Sequence, residues 1–162
     1  DALQYYLTRH ISPFEDRDFT DEAFLEAYNG NLANGLGNLV SRIMKMAEQN
    51  LGNTKFLPRQ QTGVDALFDP PYSKYVEKFE LNRAMDWIWE KIGELDKKIE
   101  ERKPFLLVKT DPESAKKIIS ELLKGLAEVA YYLSPFMPET AEKIAKAIET
   151  NKLDNSLFPR LE

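Results

Sequence analysis

The longest amphipathic pattern in the chain predicts one helix from about Thr20 to Leu51. Its apolar residues recur at alternating intervals of three and four positions, so they share one face of an α-helix. These residues are Leu25, Tyr28, Leu32, Leu36, Leu39, Ile43 and Met46. Thr20 has the side chain of an N-cap, and Asp21 and Glu22 put negative charge in the first turn, where the helix dipole favours it. Gly52 follows the last turn and predicts the end of the helix.

The same predicted helix carries a second, polar face. Its members are also three and four positions apart, and they are Asn31, Asn34, Asn38 and Arg42. Asparagine is a weak helix former, and each of the glycines at 30, 35 and 37 costs about 1 kcal/mol relative to alanine in a helix interior. A helix that only fills a bundle does not need this composition. The stripe is therefore either a solvated face or a surface that exchanges hydrogen bonds with a planar polar ligand such as a nucleobase.

A second long helix is predicted from about Ser73 to Lys103, because apolar residues again alternate four and three positions apart. This seam consists of Leu81, Met85, Ile88, Ile92, Leu95 and Ile99. Apolar seams pack against each other, so we expect this helix to lie roughly antiparallel to the first. Trp87 and Trp89 flank the seam, and we expect them in the core or a subunit contact rather than stacked on RNA. Pro104 ends the helix, because proline disfavours helical geometry in the residue before it.

Shorter signals complete an all-α pattern. The other predicted elements are a short helix at 1–8, a well-buried helix opened by Asp111 and Pro112, a last helix opened by Pro138, and an extended tail from Asn151. Residues 11–19 and 52–72 are predicted connectors, the second with one helical turn at 64–68. The sequence therefore predicts a single domain, residues 1–162, built as an antiparallel bundle of about five helices.

Composition removes several classes of function. No apolar run reaches the roughly 18 residues that span a bilayer, so no membrane partner is expected. The chain has no cysteine, which excludes disulfides and thiolate metal ligands and fits a cytoplasmic location. The single histidine, His10, is predicted at the surface end of a helix and cannot supply a Ser-His-Asp set or a His-rich metal site. We expect no catalytic residues and no metal site in this chain.

The charge of the chain limits how it can bind nucleic acid. Its formal net charge is -5, whereas general affinity for DNA or RNA comes from neutralising phosphates with lysine and arginine. Locally the balance is different, because five cations and two carboxylates lie between Lys97 and Lys109. An acidic body with a small basic end fits a surface that recognises a few nucleotides. It does not fit a broad phosphate groove, and no DNA partner is expected.

Strings at both ends of the chain resemble the helical domain of the methionyl-tRNA synthetases. The N-terminal strings are DALQYYL (1–7), PF (13–14), DFT (18–20), YN (28–29), LAN (32–34) and LGNL (36–39). The C-terminal strings are SPFMPETAE (134–142) and LFPRLE (157–162). The resemblance therefore covers nearly the whole chain. It implies a class I synthetase and, within it, the C-terminal helix bundle that binds the anticodon.

The resemblance also implies four RNA-binding residues. Asn38 and Arg42 match the family's polar pair one turn apart on the long helix, and Pro104 and Phe105 match its Pro-aromatic pair on the facing turn. The family's aromatic residue is usually tryptophan, so Phe105 offers a smaller ring and no N–H donor. The implied mechanism stacks a splayed base near Phe105 and reads its edge with Arg42, Asn38 and nearby backbone groups. The implied target is the first base of the CAU anticodon, a cytosine, whose O2 and N3 both accept hydrogen bonds.

Partners and cofactors follow from the resemblance alone. It implies the anticodon loop of tRNA(Met) and the protein's own catalytic domain as partners. In the family this sequence follows the catalytic domain, so we expect a fragment whose missing part lies upstream of Asp1. That part would carry the methionine–tRNA ligase activity with ATP as cofactor, and whether it also binds zinc is left open.

Two alternatives stay open at this point. One is the equivalent bundle of another class I synthetase, such as that for valine, isoleucine, leucine or cysteine. The other is a helical bundle that contacts proteins and has no RNA role. The latter predicts that replacing Asn38 or Arg42 with alanine leaves every interaction unchanged.

Overall fold

The computed structural model describes residues 1–11, 18–52 and 71–162, and every described element is a helix. The helices are α1 (Ala2–His10), α2 (Asp21–Ala27), a π-helical segment (Tyr28–Gly37), α3 (Asn38–Leu51), α4 (Tyr72–Glu77), α5 (Leu81–Arg102), α6 (Pro104–Leu107), α7 (Pro112–Leu133) and α8 (Pro138–Thr150). The prediction of an all-α bundle is confirmed. Among these helices none is both long and apolar enough to cross a membrane. Residues 12–17 of the predicted connector at 11–19, and residues 53–70 of the predicted connector at 52–72 with its helical turn at 64–68, lie outside the described residues.

The first long helix is continuous from Asp21 to Leu51, but its middle third is not α-helical. Residues Tyr28–Gly37 form i→i+5 hydrogen bonds, and α2 and α3 extend from the two ends of this segment. Thr20 caps the N-terminus by accepting a hydrogen bond from the amide of Ala23, as predicted. The helix ends at Gly52, which takes φ 57°, also as predicted.

The prediction of one helix from Ser73 to Lys103 is wrong near its start. The chain leaves α4 at Glu77 and begins α5 only at Leu81, because Phe79 takes a left-handed φ of 57°. This residue closes α4 by donating its amide to the carbonyl of Val76, and its side chain is 76 % exposed. Leu81, the first member of the predicted seam, consequently lies at a helix end and is exposed.

Two contacts fix α5 antiparallel to α7. Lys98 of α5 forms an ion pair with Glu121 of α7, and Trp87, eleven positions earlier on α5, packs edge-on against Tyr132, eleven positions later on α7. Trp87 is buried, so the prediction that it belongs to the core is confirmed. Both helices bury apolar residues along this contact, which makes them the centre of the bundle.

The first long helix runs parallel to α5 rather than antiparallel as predicted. At one level Asn31 lies close to the hydroxyl of Tyr5 of α1, whose ring packs on Trp89 of α5. Further along both helices Arg42 pairs with Glu100. Positions on the two helices therefore increase together, and no short hairpin loop joins them, because Tyr72–Glu77 and the residues before it lie between them in the sequence.

The C-terminal tail is an extended strap, as predicted, and its attachment is specific. Asn29 donates its side-chain amide to the carbonyl of Leu161 and accepts from the amide of the same residue, at 2.9 and 3.0 Å. Tyr28 donates to the carbonyl of Pro159. At the other end of the tail, the buried Asn151 donates to the carbonyls of Ala47 and Gly52. The strap thus fastens the π-helical segment and the end of α3 together.

The left-handed conformation of Phe79 yields a stability prediction. A non-glycine residue in that region costs about 1–2 kcal/mol, and Phe79 recovers little by burial. We expect Phe79→Gly to raise the free energy of unfolding by about 1 kcal/mol in urea denaturation. Lys78→Gly, next to it and without a positive φ, serves as the control and should lower stability. A loss of stability in Phe79→Gly would mean that the ring makes stabilising contacts.

Candidate nucleic-acid interface

Arg42 lies on α3 and reaches across to α5. Its Nη1 donates to Oδ1 of Asp96 at 2.7 Å, and its Nη2 donates to Oε1 of Glu100 at 2.5 Å. The two carboxylates are one turn apart on α5, so they accept hydrogen bonds from two different nitrogens of the guanidinium. About 40 % of the Arg42 side chain remains exposed.

This arrangement fixes the orientation of the guanidinium and leaves part of it available. An arginine carries five N–H donors in a rigid plane, and the two carboxylates use only two of them. The carboxylates also offset the positive charge, so the group is a poor attractor for a lone phosphate. It remains a good donor for an edge that presents two neighbouring acceptors. The geometry therefore favours a planar neutral ligand over an isolated anion.

Asn38 lies one turn before Arg42 on the same helix. Its side chain is exposed, and its amide makes no hydrogen bond to another described residue. Both side chains are therefore exposed to solvent. Ion pairs orient Arg42, and the side-chain amide of Asn38 can either donate or accept a hydrogen bond. This is the predicted polar pair, and the structure brings its members together as predicted.

Pro104 and Phe105 follow directly from the end of α5. Lys103 takes a left-handed φ of 44°, and Pro104 then opens the one-turn helix α6 with its ring buried. Phe105 is 45 % exposed, and its ring touches no other aromatic ring in the described part of the chain. Because Glu100 is one helical turn before Pro104, the ion pairs of Arg42 tie α3 to the same end of α5 that carries Phe105. Predicted residues from two distant parts of the sequence thus lie at one end of the bundle.

The prediction of a polar stripe along the first long helix is wrong for its first residue, Asn31. Asn31 lies close to the hydroxyl of Tyr5 and lines a groove of about 630 Å³ between α1 and the π-helical segment. Burial raises the pKa of the Tyr5 hydroxyl, which outweighs the opposing effects of Arg9 and Asn31. The i→i+5 bonding of the π-helical segment changes the angular spacing of its residues, so Asn31 turns toward α1 while Asn34 and Asn38 stay exposed.

His10 also differs from its prediction as a plain surface residue. Its ring stacks on Tyr6, and its Nε2 lies 3.1 Å from the hydroxyl of Tyr5. Among residues 1–11, 18–52 and 71–162, no three His, Cys, Asp or Glu side chains group together in a way that could hold a metal ion.

Sequence reasoning missed Asp96 and Glu100. Only a weak signal was available, because like charges one turn apart on a helix destabilise it slightly and a cation on a neighbouring helix relieves that repulsion. What the sequence could not supply was the helix that provides it.

Comparisons with known proteins point to one family. Residues 1–44, which include Asn38 and Arg42, match the family model described as tRNA synthetases class I (M). The chain is 34 % identical over 171 residues to the methionine–tRNA ligase of Lactococcus lactis, an alignment that covers 97 % of this chain. It is 31 % identical over 161 residues to that of Fusobacterium nucleatum, with 94 % of this chain covered. The chain belongs to the methionyl-tRNA synthetase family.

The match extends along nearly all of this chain but only a part of each relative. It spans 25 % of the length of both methionine–tRNA ligases. The free-state methionyl-tRNA synthetase of Mycobacterium tuberculosis shares the fold, with a TM-score of 0.76 at 24 % identity, over 99 % of this chain and 39 % of that one. The methionyl-tRNA synthetase fold thus accounts for the whole bundle described above.

The exposure of the Arg42 ion pairs predicts that this residue adds little to folding. Exposed pairs contribute about 0–1 kcal/mol, because solvent screens them and both side chains lose freedom. We expect Arg42→Ala to lower the free energy of unfolding in urea by no more than about 1 kcal/mol. A loss of several kcal/mol would instead assign Arg42 to the structural core of the α3–α5 contact.

Proposed function

We propose that this methionyl-tRNA synthetase domain binds the anticodon loop of tRNA(Met) and recognises its CAU anticodon. The observation that carries the proposal is that Arg42, oriented by two carboxylates, pairs with the last turns of α5, directly before the turn that carries the exposed Phe105. The parent methionine–tRNA ligase would use this contact to select the tRNA that it charges in an ATP-dependent reaction.

The proposed recognition combines stacking with an edge contact. A half-exposed ring on a rigid turn is a platform for a splayed base, and such stacking is worth about 1–3 kcal/mol per base. Phe105 would supply that platform, and Pro104 beneath it is buried and holds the turn. The remaining donors of Arg42 would reach the O2 and N3 acceptors of the first anticodon base, cytosine. Asn38 would complete the contact with its unpaired amide.

Charge supports recognition of a base at Arg42 rather than of the backbone. Asp96 and Glu100 repel phosphates from the immediate surroundings of the guanidinium. A base edge carries no net charge and is not repelled in this way. Discrimination between bases therefore costs the domain some overall affinity for RNA.

Binding to an anticodon stem-loop tests this proposal. We expect the 162-residue chain, at a stated low salt concentration, to bind a CAU loop more tightly than a loop changed only at the first anticodon base. Arg42→Ala should abolish the preference, which amounts to about 1–3 kcal/mol for a good two-point contact to a base. Phe105→Ala should weaken binding to both loops, because stacking is largely indifferent to base identity.

Arg83→Ala provides a matched control for Arg42→Ala. Arg83 also lies on α5 and also forms an exposed ion pair, with Glu80, but it lies in the first turn, at the opposite end of the helix. Its loss should leave the preference for CAU unchanged. Equal binding to both loops by the unmodified chain would contradict CAU recognition. A chain that binds neither loop would favour a protein-contact role, and a preference for a different anticodon would favour another class I synthetase.

We further propose that the ligase chemistry belongs to a catalytic domain outside these residues. This chain spans about a quarter of the length of its methionine–tRNA ligase relatives. Leu3 and Leu7, one turn apart on α1, are exposed and would suit a contact with that domain. ATP would bind in the catalytic domain.

An activity measurement tests the proposal that catalysis lies outside these residues. The purified chain should show no methionine-dependent exchange of pyrophosphate into ATP, because the proposal assigns the groups that activate methionine to the catalytic domain. A full-length methionine–tRNA ligase from a relative serves as the positive control. Exchange by this chain above background would contradict the proposal.

A further inference from the structure

A cationic cluster lies where α5 and α7 approach each other next to the Pro104–Phe105 turn. Its centre is the ion pair between Nζ of Lys98 and Oε2 of Glu121, at 2.7 Å. This pair shows which positions of the two antiparallel helices lie opposite each other. Arg102 is one turn after Lys98 on α5, and Lys117 is one turn before Glu121 on α7.

The antiparallel register places Arg102 and Lys117 opposite each other. Moving four positions along α5 from Lys98 and four positions back along α7 from Glu121 leads to the same level of the bundle. The electrostatics agree, because Lys98, and to a smaller extent Lys117 and Arg102, lower the pKa of the Glu121 carboxyl. Three cations thus surround one carboxylate, which already bonds to Lys98.

Three cations close to Arg102 and Lys117 on these helices are paired, namely Lys97, Lys98 and Lys116, whereas Arg102 and Lys117 are not. Lys97 pairs with Glu101, and Lys116 pairs with Glu113. Within residues 1–11, 18–52 and 71–162, neither Arg102 nor Lys117 has an ion pair, and both side chains are exposed. Two facing like charges repel each other unless an anion lies between them. This level of the bundle therefore has a surplus of positive charge in a chain whose net charge is -5.

We propose that Arg102 and Lys117 bind a backbone phosphate of the RNA whose base stacks on Phe105. Arg102 is two residues before Pro104, so the pair lies beside the stacking platform. The proposal rests on the anticodon-binding function proposed above and adds the phosphate contact that Arg42 cannot make. The base contact and the backbone contact then lie on opposite flanks of α5.

The test measures the salt dependence of binding to the CAU loop and to the loop changed at its first base. For Arg102→Ala/Lys117→Ala we expect several-fold weaker binding to both loops and an unchanged ratio between them. The slope of log affinity against log salt should become shallower by about 1 for each phosphate that the variant no longer neutralises. Glu121→Gln should act in the opposite direction and tighten binding to both loops, because it removes the carboxylate that competes for these cations.

Lys143→Ala/Lys146→Ala is the matched control. It removes the same charge from two exposed cations of α8 and should change neither affinity nor slope appreciably. Equal losses in the control and in the Arg102/Lys117 variant would overturn a localised phosphate contact. Unchanged affinity and slope in Arg102→Ala/Lys117→Ala would also overturn it, while a surviving CAU preference would leave the proposed function intact. Loss of the CAU preference in Arg42→Ala alone concerns the base contact, so the two proposals can fail separately.

Discussion

The packing of α5 against α7 determines where the candidate RNA-binding groups of α5, α6 and α7 lie. Apolar residues of both helices are fully buried along the contact, and burying each such side chain is worth about 1.5–3 kcal/mol. Gly125 of α7 allows the close approach, because a Cβ there would meet Cδ2 of Leu95 at 2.5 Å. This register also sets where the end of α5 and the turn that follows it lie relative to the core.

The buried core therefore positions an exposed surface. The turn at Lys103 leads to α6, whose buried Pro104 anchors it while Phe105 and Leu106 stay exposed. Arg42 then links α3 to the same end of α5 through two ion pairs that contribute little to stability. A contact that is weak energetically can still determine geometry, because the helices on both sides are held by packing. Stability and recognition thus depend on different residues.

Much of this fold could be predicted from the sequence, because its helices follow apolar spacing and local capping rules. Helices begin or end where the residue type predicts it, at Thr20, Gly52, Asp111 and Pro138. The failures have a common physical cause, namely backbone geometry that no local propensity encodes. Phe79 in a left-handed conformation divided one predicted helix into two, and the i→i+5 bonding of the π-helical segment turned Asn31 away from the predicted stripe.

The candidate site could also be predicted only in part. Asn38 and Arg42 share a face because they are one turn apart in regular α-helix, which spacing alone predicts. Their placement near Phe105 depends on the order of helices in the bundle, and the expected antiparallel pairing of the first long helix with α5 was wrong. The resemblance supplied the grouping that periodicity could not. The carboxylates that orient Arg42 could be recognised as a like-charged pair, but only the fold identifies their partner.

The charge distribution of this acidic chain fits the selective RNA binding proposed for it. A uniformly basic surface gains most of its affinity from phosphates, which every RNA offers, so it discriminates weakly. Here one flank of α5 carries an arginine whose charge is offset by two carboxylates, and the other carries cations in excess of their single carboxylate. In the proposed complex the first flank would gain free energy mainly from a matching base edge, and the second from any RNA backbone. Because the second would provide few contacts, total affinity would stay modest, and the base contact would decide which RNA is bound.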